Sequence, residues 1–235
     1  MKTISISDKT IEYLPCSDNP LSSDVVFIKG DSSIWIYDVG TSDEAFGIIK
    51  DVISSSCEEN KSVNIVISHF HKDHMGNLSR ILEFHDEVKS RNAGVCELNV
   101  YVSANTFKYS HAGIVVSEKK MFCDDLNICL FPIPSSHAKG CLAMMVDDEL
   151  VVLGDAIYPG YNSHDVLTDK KSYKREGKKY NVQILKEQID VMRESEAKYL
   201  FIAHLDRPKV RREIIVKFLM SIYEKRTPGE PFIFQ

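Results

Sequence analysis

The sequence predicts an α/β chain in which two mixed β-sheets pack together and carry helices on their outer faces. Three observations carry that prediction. Short apolar runs of strand length crowd the first part of the chain, helical periodicities are interspersed among later strands, and the chain closes on a helix–strand–helix pattern.

Taken in order, Ile4 and Ile6 alternate with polar residues, then come Ile11, Tyr13 and Leu14, then Val25–Ile28 and Ile34–Tyr37. Each run is bounded by Ser, Asp or Gly, as strands are. A helix is predicted from Asp43 to about Ser56. Ser42 offers an N-cap, Asp43 and Glu44 suit the positive helix end, and Phe46, Ile49, Val52 and Ile53 recur at helical spacing. A buried strand is expected over 63–68, followed by a helix starting near His74 that carries Leu78, Ile81, Leu82 and Phe84. Further strands are predicted at 98–102, 127–133, 141–147 and 149–154, with Asp147-Asp148 as a hairpin turn. Helices near 181–195 and 208–224, the latter opened by Pro208, flank a strand at 199–203.

With 235 residues, 43% hydrophobic and 27% charged, the chain reads as one globular domain able to bury its own core. A net charge of -5 gives no general attraction to nucleic acid or to anionic membranes. No apolar run approaches the length of a membrane span, and the first residues lack the apolar core of a secretory signal. A cytoplasmic protein is expected. The six cysteines are widely spread without a Cys-x-x-Cys pair, so they are expected to be reduced.

The chemistry concentrates in His69-Phe70-His71-Lys72-Asp73-His74, where three imidazoles and a carboxylate fall within six residues. These are the ligand types of catalytic zinc, iron and manganese. His69 and His71 are two apart, so in extended backbone both point the same way. Three more candidates follow apolar strands: His137 after 127–133, Asp155 after 149–154 and His204 after 199–203. Side chains at strand ends can converge on one edge of a sheet.

With Asp38 after an early strand, the His-x-His-x-Asp-His run, then His137, Asp155 and His204 in that order, the chain resembles the metallo-β-lactamase fold superfamily over roughly residues 20 to 210. The resemblance implies a four-layer αβ/βα sandwich and two divalent ions, zinc above all, with manganese or iron as substitutes. It implies one ion held by His69, His71 and His137, a second by Asp73, His74 and His204, and Asp155 bridging them. Asp38 would stand behind the ligands as a hydrogen-bond acceptor. An aspartate at position 155 resembles the glyoxalase-II, lactonase and phosphodiesterase branches rather than the antibiotic-hydrolysing enzymes with cysteine there.

The implied activity is a metal-dependent hydrolase in which hydroxide activated by two metals attacks a small lactone, thioester or phosphoester. Asp73 and Asp155 would provide negative charge and proton uptake. Tyr158 resembles a lactonase tyrosine that hydrogen-bonds the substrate, and Tyr161 and His164 are candidates for substrate contact in the same loop. The basic run 170–179 falls between two implied ligands and would favour an anionic small molecule. Two other readings stay open: an iron-dependent oxidoreductase of the same fold, similar to persulfide dioxygenases, and a non-catalytic binding protein.

Overall fold

The structure, a computed structural model, describes residues 1–7, 9–91, 97–123, 126–157 and 179–234. The first half follows the predicted alternation closely. Strands β1 (Lys2–Ile6) and β2 (Lys9–Leu14) are followed by a small hairpin of β3 (Ser17–Asp18) and β4 (Leu21–Ser22). Then come β5 (Val25–Lys29), β6 (Ser33–Tyr37), helix α1 (Asp43–Glu58), β7 (Ser62–Val66), helices α2 (Lys72–Met75) and α3 (Leu78–Arg91), β8 (Leu98–Val102), α4 (Ala104–Ser110) and β9 (Ile114–Val115). Seven of these strands form one sheet in the order β1-β2-β5-β6-β7-β8-β9. It is antiparallel as far as β6 and parallel from β6 to β9.

The second half supplies β10 (Lys120–Cys123), β11 (Asn127–Ile133), β12 (Cys141–Val146), β13 (Leu150–Val152), β14 (Lys179–Asn181), helix α5 (Val182–Glu194), β15 (Tyr199–Phe201), β16 (Lys209–Arg211), helix α6 (Arg212–Tyr223) and β17 (Phe232–Phe234). Its six-stranded sheet runs β10-β11-β12-β13-β15-β16, while β14 pairs with β17 apart from it. Only β13 and β15 are parallel in that sheet.

The layers follow from side-chain alternation along the strands. In β6, Trp35 and Tyr37 face the second sheet, whereas Ile34 and Ile36 face α1 and α3. In β12, Leu142, Met144 and Val146 face the first sheet, whereas Cys141 and Ala143 face α5 and α6. The result is helices, sheet, sheet, helices: the four-layer αβ/βα sandwich. Its middle is closed by polar contacts as well as apolar ones. The buried Tyr37 hydroxyl donates to Leu142 O at 2.6 Å, and Leu142 N donates to Ser68 O at 2.8 Å. Leu142 and Pro132 of β11 form a non-hydrogen-bonded pair, so Leu142 N and O face the other way, past the end of β13, where Ser68 and Tyr37 meet them.

Four expectations need correction. The helix starting near His74 is two helices, because Asn77 N donates to Gly40 O at 3.0 Å and the Asn77 side chain donates to Val39 O and Ser42 O. The last long helix begins at Arg212, not 208, since residues 209–211 pair with β15 as an edge strand and Pro208 precedes that strand. Helix α4 was not foreseen; Ser103 caps it by accepting from Thr106 N at 3.1 Å, a signal too short for periodicity to register. Cys57 is disulfide-bonded, while Cys16, Cys123, Cys129 and Cys141 are free; linear spacing says nothing of which thiols the fold brings close. Among the described residues no helix is long and apolar enough to cross a membrane.

Candidate metal centre

Parallel pairing gathers the functional side chains. Strands β6 and β7 run parallel, so Asp38 and the 68–74 segment leave the first sheet at one edge. Strands β13 and β15 run parallel in the second sheet, so Asp155 and His204 leave it together. Across the described residues two donor groups form there: His69, His71 and His137, and beside them Asp73, His74, Asp155 and His204. In each group the donor atoms lie within 4.8 Å of one another.

The separations suit ligands of a cation. Bonds of about 2.0–2.1 Å in a tetrahedral site give donor–donor edges of about 3.3–3.4 Å. His204 Nε2 lies 3.4 Å from His74 Nε2 and 3.3 Å from Asp73 Oδ2. His74 Nε2 lies 3.5 Å from Asp73 Oδ2. Asp155 stands between the groups: its Oδ2 is 3.3 Å from His137 Nε2 and 3.4 Å from His74 Nε2, and its Oδ1 is 3.6 Å from His204 Nε2. His137 Nε2 faces His71 Nδ1 at 3.0 Å.

A test of fit comes from buried atoms without a partner. His69 Nε2 and Asp155 Oδ1 are both buried and accept or donate no hydrogen bond. Such orphans are uncommon in folded proteins and point to a bound species. At His69 the other nitrogen, Nδ1, is engaged by Ser68 Oγ at 3.0 Å, which leaves Nε2 directed into the cluster. Neutral imidazoles and carboxylates are the donors a divalent transition metal takes, so the residues fit such an ion.

Behind the donors Asp38 is buried and accepts three hydrogen bonds: from Ser68 N at 2.7 Å, from Ser68 Oγ at 2.8 Å and from His74 Nδ1 at 2.7 Å. Asp38 and His204 both have left-handed backbone, with φ of 60° and 62°. Gly154, φ 54°, lets the chain before Asp155 press against Ser68: a Cβ there would lie 2.7 Å from Ser68 Cβ.

The electrostatics of the metal-free site are those of a charged cluster held in balance. Burial pushes the His69 imidazole down to about 2, helped by the charge of His74, so it is neutral. Burial also lowers His137. Burial opposes charge on His74 as well, but Asp38 and Asp155 outweigh it and lift the imidazole to about 10. Burial is likewise outweighed at His204, lifted to about 11 by its hydrogen bonds to Asp73 and Cys16 and by the charge of Asp155. Asp155 stays well below the ordinary carboxylate range despite burial, because His74 bonds it and three imidazoles surround it. Protons on His74 and His204 thus balance the carboxylates where a cation would.

The sequence reading missed three contributors: Ser68, Gly154 and Asp24. Asp24 is buried and accepts from His204 N at 2.8 Å and from Cys16 N at 3.2 Å, and burial pushes its carboxyl up to about 6. The signal that singled out Asp38, an acid beside an apolar strand, was equally present at Asp24. Tyr158, Tyr161, His164 and all but Lys179 of the basic run 170–179 lie outside the described residues.

No protein-family model and no curated protein matches this sequence. Solved structures do. A metallo-β-lactamase from Pontibacter korlensis is 12% identical with a TM-score of 0.59, over 96% of this chain and 99% of that one. The DIM-1 metallo-β-lactamase is 13% identical with a TM-score of 0.61, over 95% and 96%. A chemotaxis sensor, ODP, solved as a peroxy diiron species, is 10% identical with a TM-score of 0.63, over 95% and 94%. The chain therefore has the metallo-β-lactamase fold, and the edge of the sandwich carries a histidine–aspartate donor set suited to metal.

Proposed function

We propose that this protein is a metal-dependent hydrolase that binds two divalent ions, zinc foremost, and cleaves a small ester-like bond. The observation that carries this reading is Asp155, buried between two groups of converging donors and within 3.3–3.4 Å of a member of each. His69, His71 and His137 would hold one ion, Asp73, His74 and His204 the other, and Asp155 both. The ions would supply acidified water at neutral pH and polarise the substrate oxygen.

The chain's own residues do the rest. With an ion bound, Asp38 would keep the remaining His74 proton on Nδ1 and leave the Nε2 lone pair for the ion. The cluster is buried on the protein side, with His69 and His74 closed to solvent, which strengthens each electrostatic contact. Asp73, at 17% side-chain exposure against 5% for Asp155, is the carboxylate better placed to hold a proton in transit to solvent. Two carboxylates offset only part of the charge of two divalent ions, which favours a substrate that is anionic or becomes so during reaction. Phe70 stacks on Tyr109, centroids 4.5 Å apart, beside His71 and offers the substrate an apolar wall. Tyr158 remains the proposed donor to the substrate oxygen.

Redox chemistry at iron is the second reading. It is supported by the two imidazoles and carboxylates of the second group, a donor mix that non-haem iron uses, and by the diiron centre named for the ODP structure. Metal quantification followed by turnover assays on lactones, thioesters and phosphodiesters with zinc, manganese and iron decides between them. The hydrolase reading expects two colourless ions and ester cleavage; iron with visible absorbance and oxygen uptake supports the alternative. Asp155→Ala should lose nearly all turnover and retain less metal. Full rate with both ions bound would remove Asp155 from the site.

A further inference from the structure

We infer that Asp24 is a positioning residue that governs occupancy of the second cation group, Asp73, His74, Asp155 and His204, without touching a cation itself. This rests on the two-ion reading above. The buried segment Ser22–Asp24 enters the donor edge just before β5, where it bonds both helix α2, which carries Asp73, and the turn that carries His204. Ser23 N donates to Asp73 O at 2.9 Å. The Asp24 carboxylate accepts from His204 N at 2.8 Å through Oδ2 and from Cys16 N at 3.2 Å through Oδ1. Ser22 Oγ accepts from Thr41 N at 2.9 Å, which anchors the segment from behind.

Four stretches of backbone, at Cys16, Thr41, Asp73 and His204, are thus tied by one short segment. Two of them bear ligands, and both ligands belong to the second group. Among the described residues, the hydrogen bonds of Ser22–Asp24 to other segments go to Cys16, Thr41, Asp73 and His204, and to none of His69, His71 and His137. The tie to His204 has a further task. His204 has left-handed backbone, which persists in a residue with a Cβ only when its surroundings over-determine it. A buried carboxylate fixed at both oxygens does that for the His204 amide. Removing it leaves the first group intact and lets the 203–206 turn relax.

Stepwise titration of chelator-stripped protein with Zn2+, and with Co2+ for its absorption spectrum, tests this on wild type, Asp24→Asn and Asp24→Ser. Asparagine keeps the size but turns an N–H donor toward one of the two backbone amides. The expected result is a first equivalent bound as in wild type and a second bound about 10–100-fold more weakly, the usual effect of removing a residue that orients a ligand. Wild-type affinity for both equivalents in both variants overturns the inference. So does equal weakening of both, or loss of both, in the two variants alike, since that shows a general role in folding. A wild-type protein that takes up fewer than two ions overturns the two-ion reading itself, and this inference with it.

Discussion

Replacing Asp38 by Asn tests how the site selects one tautomer of His74. The amide has only one acceptable orientation. Ser68 N needs an acceptor at 2.7 Å, so the amide oxygen must take the place of Oδ1. The NH2 group then replaces Oδ2, which now accepts from Ser68 Oγ at 2.8 Å and faces His74 Nδ1 at 2.7 Å. Ser68 Oγ can reverse its role and accept. His74 Nδ1 can face an N–H donor only as a lone pair, which moves the proton to Nε2. That atom lies 3.4 Å from both His204 Nε2 and Asp155 Oδ2, where a ligand lone pair is required. The substitution should weaken metal binding at the second group about 10–100-fold, equivalent to about 1.4–2.8 kcal/mol. Loss of one charge-assisted hydrogen bond in a buried setting should lower the stability of the metal-free fold by about 1.5–3 kcal/mol. Chelator competition measures the first quantity, denaturant unfolding the second, and 15N chemical shifts of the His74 ring report the tautomer directly. Wild-type affinity together with an unprotonated Nε2 would refute the reasoning.

Gly154→Ala places a methyl group 2.7 Å from Ser68 Cβ on backbone of φ 54°, so it should destabilise the protein by about 2–4 kcal/mol from left-handed strain and overpacking, read by thermal unfolding; an unchanged Tm would mean the 153–155 turn yields freely. The metal-free protein should also lose stability as pH rises. His74 and His204 have folded pKa values raised to about 10 and about 11, so the stability they contribute is fully present below about 6.5, their unfolded value, and is lost as pH climbs through that window. Saturating Zn2+ should flatten this slope, because the cation replaces both protons; a metal-free Tm that is constant from pH 7 to 10 would count against protonated imidazoles in the second group.

Much of the sandwich was legible because its causes are local. Short apolar runs located β5, β6, β11 and β12, and the Ser42 cap with Asp43 and Glu44 located α1, whose Ala45, Ile49 and Ile53 are buried. The residues of the donor groups were legible because each follows an apolar strand, and parallel pairing turns that linear habit into convergence. What escaped reading depends on contacts between distant segments. The break before α3 comes from Asn77 reaching the 39–42 turn, and β16 exists only because β15 lies beside it. The partner of Asp24 was hidden for the same reason: the acid beside a strand is legible, but nothing near it in the chain tells of His204, 180 residues further on.

The hydrogen bonds between Tyr37, Leu142 and Ser68 bear on more than cohesion. His69 and His71 ride on one sheet and His137, Asp155 and His204 on the other, so each donor group is a joint across a seam. Apolar attraction is non-directional, whereas a hydrogen bond fixes both distance and direction. A slip of about one ångström would spoil coordination, whose distances hold to about 0.2 Å. Because β13 ends at Val152, opposite Met144, the Leu142 carbonyl has no strand neighbour on that side, and a tyrosine pins the two halves in registry beside the donors. The early end of one inner strand thereby helps keep donors on opposite walls aligned.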